Sequence, residues 1–288
     1  MIRLMLAAGL LMHAAAAQPR AVVLAPVLDM FSRPSADADV VSQARYGMTV
    51  AVEQTEGEWA RIRTLHDNYP GWSIRSSLRL LAEQERYAES GRVAHVDSLR
   101  AHLYREPSVT RHAPLLTVPF ETGLEVIEEP EGDNRRWIRV RLPDGREAWG
   151  QRGDVEFDPP VLPVAGLIEL AKRFLGLPYT WGGTTSFGFD CSGFTQMLVR
   201  RGGVLMPRDA QPQADWEGMT KIAREELQPG DLVFFGSSDR KINHTGFYLG
   251  GGEFIHSTTN TKPVLQISRL EDEPWTRTLV ACRRWRKP

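Results

Sequence analysis

The sequence predicts a multidomain, β-rich chain in which two small all-β units precede one α+β domain. Three observations carry that expectation: short alternating segments over residues 20–157, a set of features that recurs there in the same order, and a change to helical periodicity after the proline-rich stretch 158–163. The length agrees, since 288 residues at about 150 per domain give two or three units. A hydrophobic fraction of 42% suffices for packed cores and excludes disorder as a description of the whole chain. Lys+Arg of 35 against Asp+Glu of 36 leaves a formal net charge of -1, so nothing is present to hold a polyanion and no nucleic acid is expected as a partner. Two cysteines, Cys191 and Cys282, make neither a disulfide framework nor a four-thiolate zinc site; they leave one bridge at most, or one thiol with a chemical role.

Residues 1–17 carry one positive charge (Arg3), an apolar stretch from Leu4 to Met12, and the small-residue run Ala14 to Ala17. That order is the pattern of a secretory signal peptide cleaved after Ala17, so export is expected, to the periplasm or the medium. The apolar run is shorter than the ~20 residues that span a bilayer and His13 interrupts it, so no stable membrane insertion is expected.

The expected all-β units occupy 20–84 and 90–157, with strands such as Met48 to Glu53 and Leu124 to Glu128. Phe31-Ser32-Arg33-Pro34 is echoed by Tyr104-Arg105-Glu106-Pro107, Trp59-Ala60-Arg61-Ile62 by Trp137-Ile138-Arg139-Val140, and Gly71-Trp72 by Ala148-Trp149. A near-constant offset in constant order is what a duplicated module with one loop insertion gives. A unit of this size is marginal on its own core and gains from docking on a larger neighbour. The order of an R-P or R-x-P, a W-x-x-[IV]-R strand and a Gly/Ala-Trp strand resembles bacterial SH3-like domains, which implies two small barrels; the plainer alternative is two unrelated β modules whose tryptophans fill cores.

Asp158 to Pro163 reads as a stiff linker. In the expected domain 164–288, Ala165, Ile168, Ala171 and Leu175 recur at helical spacing, with Leu167 and Phe174 widening the stripe and Gly176 and Pro178 ending the helix. Strands are expected at Leu232 to Phe235, His244 to Leu249, Glu253 to His256, Val264 to Ile267 and Leu279 to Arg283.

The chemistry centres on Cys191. Asp190 is a credible N-cap for a helix on which Phe194, Met197 and Leu198 follow at helical spacing, so Cys191 falls in the first turn. The positive end of the helix dipole there favours thiolate, the species that attacks carbonyl carbon. A lone cysteine is more often a buried structural residue, and what outweighs this is a pair of histidines in a hairpin downstream. If the chain reverses at Gly251, position 244 opposes 258 and 256 opposes 246, so His244 and His256 project from one sheet face as diagonal neighbours ~7 Å apart at the backbone. A nucleophile, a base and an orienter result: His244 takes the proton of Cys191 and His256 holds the ring of His244. A zinc site on the same three residues is the rival, weakened by the lack of a close-spaced ligand pair; no metal and no cofactor are expected.

These motifs carry a family resemblance. Tyr179-x-Trp181-Gly182-Gly183, Phe189-Asp190-Cys191-Ser192-Gly193, Leu227-x-Pro229-Gly230-Asp231-Leu232-Val233-Phe234-Phe235, His244-x-Gly246 and His256 stand in the order of the NlpC-type papain-like cysteine peptidases, over roughly residues 163 to 285. The resemblance implies a papain-like α+β fold, hydrolysis of peptide bonds in cell-wall peptides, catalytic roles for Cys191, His244 and His256, and a share in oxyanion binding for Tyr179 beside the backbone N–H of Cys191. With two SH3-like modules in front, the chain is similar to γ-D-glutamyl-L-diamino-acid peptidases. In that subgroup the first module closes one end of the cleft and the substrate presents a free N-terminal L-Ala. The likeness implies that Asp209, with Asp39 and Tyr69 of the first module, meets the ammonium; Asp39 stands where a Glu is usual, and Ala210 where a Ser is frequent. It implies that Ser192 and Arg208 meet the D-Glu carboxylate and that Trp181 packs on the substrate or on the core. The expected partners are peptidoglycan-derived peptides. Two alternatives stay open at this point: an endopeptidase on intact wall with the β modules as tethers, and an inactive wall-binding protein.

Overall fold

A computed structural model describes residues 18–286 and places three units in contact; the expected signal segment lies outside the described residues. Strands β1 (Arg20–Val23), β2 (Val27–Phe31), β3 (Val40–Arg45), β4 (Thr49–Glu56), β5 (Trp59–Thr64), β6 (Pro70–Ile74) and β7 (Leu78–Leu80) form one antiparallel sheet in the order β3-β2-β6-β5-β4-β1-β7. Strands β8 (Val93–Val96), β9 (Arg100–Tyr104), β10 (Leu116–Pro119), β11 (Gly123–Glu128), β12 (Trp137–Arg141), β13 (Glu147–Gln151) and β14 (Val155–Phe157) form a second, in the order β10-β9-β13-β12-β11-β8-β14. Strand for strand the two orders coincide.

The coincidence extends to side chains. Phe31 meets the Trp59 ring edge-to-face at 5.5 Å and 86°, and Tyr104 meets Trp137 at 5.7 Å and 88°. Arg61 pairs with Trp72 in register, and Arg139 with Trp149. Alternation explains the strands: Ala60 and Ile62 are buried while Arg61 and Arg63 reach outward, and Ile138 and Val140 are buried while Arg141 is exposed. Each core is small, Met30, Val50 and Ile62 in one and Leu103, Ile138 and Val140 in the other, so both units lean on their neighbours.

The third unit contains α1 (Val164–Arg173), β15 (Thr184–Thr185), β16 (Gly188–Phe189), α2 (Cys191–Arg201), α3 (Ala210–Asp215), β17 (Met219–Ile222), β18 (Leu232–Gly236), β19 (Ile242–Gly250), β20 (Glu253–Thr258), β21 (Val264–Arg269), α4 (Trp275–Thr278) and β22 (Leu279–Trp285). Its sheet runs β17-β22-β18-β19-β20-β21. One sheet face, with Phe234, Phe247 and Ile255, packs under α1 and α2 through Leu167, Phe174, Phe194 and Leu198. The opposite face, with Val233, Phe235, Tyr248 and Phe254, is capped by Trp275 of α4.

The buried stripe of α1 is Leu167, Leu170, Ala171 and Phe174, while Ala165 and Leu175 are exposed. Of the expected stripe, Leu167, Ala171 and Phe174 are buried and Ile168 packs against the same core, while Ala165 and Leu175 turn outward and Leu170 joins the buried face. The proline-rich stretch 158–163 is followed at once by α1, whose N-cap is Pro163. No helix among the described residues is long and apolar enough to cross a membrane.

Candidate active site

Asp190 accepts the backbone N–H of Gly193 at 2.7 Å, closing the first turn of α2 as its sequence position predicts. Cys191 thus occupies the first helical position, and both it and Cys282 are free, buried thiols. Strands β19 and β20 pair as Phe247 with Ile255 and Tyr248 with Phe254, the register that opposes 246 with 256. The segment that leads into α2 packs on these strands: Ser257 donates its hydroxyl to the Phe189 carbonyl at 2.6 Å, and the Thr245 N–H is directed at the Cys191 sulfur. The nucleophile thus sits against β19, at the residue next to His244.

Nε2 of His244 lies 2.7 Å from Nδ1 of His256, and Nε2 of His256 lies 3.0 Å from Oγ of Ser268. Nδ1 of His244 is left over. Trp275 stacks on the His244 ring at 5.2 Å and 26°, and presents itself edge-on to His256 at 4.8 Å and 90°. Gly246 explains the His-x-Gly spacing: a Cβ there would stand 2.6 Å from Phe254 Cδ2 and 3.3 Å from the Cβ of His256.

Burial sets the protonation states. It holds the His244 imidazole down to about 3 and, with the neighbouring His244, puts His256 well below its ordinary range. Burial likewise pushes the Cys191 thiol up to about 12, the Asp190 carboxylate adding to the shift and the Thr245 and Ser192 N–H groups and Arg208 opposing it. Helix-dipole reasoning predicts a thiolate, whereas desolvation and the adjacent carboxylate act in the opposite direction, toward a thiol beside a neutral imidazole. Among the described residues no hydrogen bond joins Cys191 to His244, and no group of three His, Cys, Asp or Glu side chains could hold a metal.

A cleft of about 570 Å³ runs between the first β unit and the third unit. Asp39, Tyr69, Tyr179, Trp181, Cys191, Ser192 and Asp209 line it, with Val40, Ala210 and Asn243. Tyr69 donates its hydroxyl to Asp209 Oδ2 at 2.9 Å across the domain boundary. Burial raises the Asp209 carboxyl above the usual carboxylate range, against the pull of Arg208 and Tyr69. The Tyr179 hydroxyl is raised by burial and then by Cys191 and Asp190 beside it. Trp181, 69% exposed, is a wall of the cleft and not a core residue.

Arg208 is placed differently. Only 2% exposed, it does not line the cleft but donates to both oxygens of Asp190 at 3.1 and 2.6 Å, to Ser192 Oγ at 2.9 Å and to Ser42 Oγ at 3.2 Å. A buried guanidinium requires a carboxylate, and Asp190 is the one at hand. The cleft floor is therefore held from beneath by a charge that the cleft itself does not see. Gly182 seals the boundary; its φ of +73 and a hypothetical Cβ 2.8 Å from Val40 Cγ1 leave glycine as the residue that fits. Sequence reasoning does not find Ser268, Trp275 or the interdomain partners Ser42 and Gln43, which carry no motif; Gln43 receives the Thr184 N–H at 3.2 Å.

A cysteine at a helix N-terminus, two coupled histidines and a cleft over the thiol define a cysteine-type hydrolase. Comparison with known proteins gives the family: the NlpC/P60 family model matches residues 176–284, and that of the bacterial dipeptidyl-peptidase SH3 domain matches 30–78. The C-terminal domain belongs to the NlpC/P60 family. The gamma-D-glutamyl-L-lysine dipeptidyl-peptidase of Bacillus cereus is 35% identical over 75% of this chain and 66% of its own length, so the chain covers just under two thirds of that relative. Its namesake in Bacillus subtilis is 29% identical over 86% of this chain and 82% of its own. The crystal structure of an NlpC/P60 family protein from Bacillus cereus superposes with a TM-score of 0.79 at 28% identity, covering 92% of this chain and 99% of that one.

Proposed function

We propose that the protein hydrolyses the γ-D-glutamyl to diamino-acid bond of peptidoglycan peptides that carry a free N-terminal L-Ala. The observation that supports this best is the cleft itself, whose lining brings Asp209, Tyr69 and Asp39 together with Cys191. A half-buried carboxylate with a raised pKa attracts an ammonium, which restores its charge and supplies the donors it lacks. The names of the Bacillus relatives point to the same bond.

In this reading the Cys191 sulfur attacks the γ-carbonyl carbon while its proton passes to Nδ1 of His244, since Nε2 is committed to His256. The developing oxyanion takes the Cys191 N–H and the Tyr179 hydroxyl. The C–N bond breaks as His244 returns the proton to the departing amine, leaving a thioester. Water, deprotonated by the same nitrogen, releases the peptide acid and regenerates the thiol. Ser192 meets the D-Glu carboxylate, and Arg208 holds Ser192 and Asp190 in place from below. The second β unit, with the strand order of the first and the same edge-to-face aromatic pair, is read as a second SH3-like module that braces α1 and α2; Arg173 binds Asp97 and Phe120 joins the core of the third unit. Residues 1–17 are read as an export signal, which fits a substrate found outside the cytoplasm.

The test is mass analysis of products from free tripeptide, N-acetylated tripeptide and intact sacculi. Cleavage of the free peptide alone is expected. Equal cleavage of the blocked peptide refutes the ammonium site, and soluble fragments from sacculi favour an endopeptidase.

A further inference from the structure

We infer that Ser268 is a positioning residue, whose hydroxyl accepts the Nε2 proton of His256 and so keeps Nδ1 of His244 unprotonated and ready to act as base. The inference rests on the proposed role of His244 and adds a fourth member to the constellation. Two neutral imidazoles that share one hydrogen bond have two arrangements, because each ring carries a single N–H. In the first, His244 Nε2–H donates to His256 Nδ1, the His256 proton sits on Nε2, and Nδ1 of His244 is bare. In the second, His256 Nδ1–H donates to His244 Nε2, the His244 proton sits on Nδ1, and the ring cannot take a proton from the thiol there.

The first arrangement needs an acceptor at Nε2 of His256, in a pocket that is otherwise apolar. Phe254 tilts against His256 with ring centres 4.5 Å apart and Trp275 is edge-on to it. Phe235, Phe254 and Trp275 cover the rest of that sheet face. Burial alone displaces His244, and burial with His244 displaces His256, so no carboxylate pulls on either ring. Ser268 Oγ, 3.0 Å from Nε2, is the polar group that remains. Strand register puts it there: Phe254 pairs with Ser268 and His256 with Gln266, so 254, 256, 266 and 268 share a face. Ser268 is half-buried, so it can pass its own proton to water while accepting from the ring. Without it, Nε2 of His256 is an unpaired buried N–H in the first arrangement and a bare nitrogen in the second, so loss of the serine falls more heavily on the first, an unpaired buried N–H being the rarer and costlier of the two.

The experiment compares the full-length protein with Ser268→Ala and Ser268→Thr, each labelled with 15N in histidine. NMR is expected to report a bare Nδ1 on His244 and a protonated Nε2 on His256 in the parent protein and in Ser268→Thr, and the opposite assignment or a mixture in Ser268→Ala. With the free tripeptide, kcat is expected to fall about 10-fold in Ser268→Ala at unchanged KM and to recover in Ser268→Thr. An unchanged tautomer pattern in Ser268→Ala overturns the inference, as does a loss of kcat that Ser268→Thr does not restore. The nitrogen shifts need no substrate, so a parent protein that leaves the tripeptide uncut overturns the proposed function while the tautomer result stands apart.

Discussion

Replacing Arg208 with methionine deletes the charge beneath the cleft and keeps most of the bulk of the stem. Asp190 then remains in the interior with its bond to the Gly193 N–H but with no cation on either oxygen. Stranding one member of a buried ion pair costs about 3–5 kcal/mol. At about 2–4 °C of Tm per kcal/mol for a domain of this size, the melting temperature drops by about 6–20 °C. The thiol responds as well: Arg208 opposes the upward push of Asp190 on Cys191, so its removal takes the thiol further from ionisation and slows attack. The double variant Asp190→Asn/Arg208→Met has no stranded charge, and asparagine still caps the helix. Its loss of stability therefore falls short of the sum of the single losses by about 2–3 kcal/mol. Thermal melts of the four proteins, each followed by circular dichroism, measure the coupling. A single-variant loss below about 3 °C, or strict additivity in the cycle, refutes the account of Arg208 as a charge held by Asp190.

Gly246→Ala brings a methyl to within 2.6 Å of Phe254 and forces the His256 strand outward, so stability falls by about 1–3 kcal/mol and kcat falls with it; a melt and kcat both equal to the parent's contradict the packing argument. With the imidazole at about 3 and the thiol at about 12, alkylation of Cys191 by iodoacetamide accelerates with each rise in pH from about 6 to 9, because the thiolate fraction grows throughout that range; a rate that is flat over that window identifies a preformed thiolate–imidazolium pair instead. Asp209→Asn raises KM for the free tripeptide by about 10- to 100-fold, the loss of one charge-assisted contact. In the parent protein the Asp209 carboxyl sits above its ordinary range, so the affinity it provides is present above that raised pKa and fades as pH falls through it, earlier than for an exposed aspartate; a KM that stays constant down to the ordinary carboxylate range contradicts this.

The strands around the histidines were legible because a hairpin is a local object. The glycine run 250–252 fixes the reversal, alternation fixes the faces, and the register of 246 against 256 follows. Asp190 was legible as a cap for the same reason. The two β units could be read as a repeat because Trp59 and Trp137 hold equivalent strand positions and fill the same role in each core. What the sequence does not carry is which distant groups share a space. Arg208 is adjacent in sequence to Asp209, yet its guanidinium turns inward to a carboxylate while Asp209 turns to the cleft. Ser268 and Trp275 come from segments without a motif, and only the packing of β21 and α4 brings them to the imidazoles. The upward shift of the Cys191 thiol comes mainly from burial, which has no signature in residue order.

The packing of α2 against β19 and β20 also dictates when activity can begin. Chains fold from the N-terminus as they are made, and Cys191 emerges well before the strands that receive it. Until β19 and β20 have formed, the thiol has no Thr245 amide at its sulfur and no imidazole near it, and until β21 follows, His256 has no Ser268. The other end of the cleft comes from β-unit residues translated at the start. Catalysis is thus contingent on long-range closure, the slowest class of contact to establish, and a nascent or truncated chain carries a cysteine without an enzyme around it.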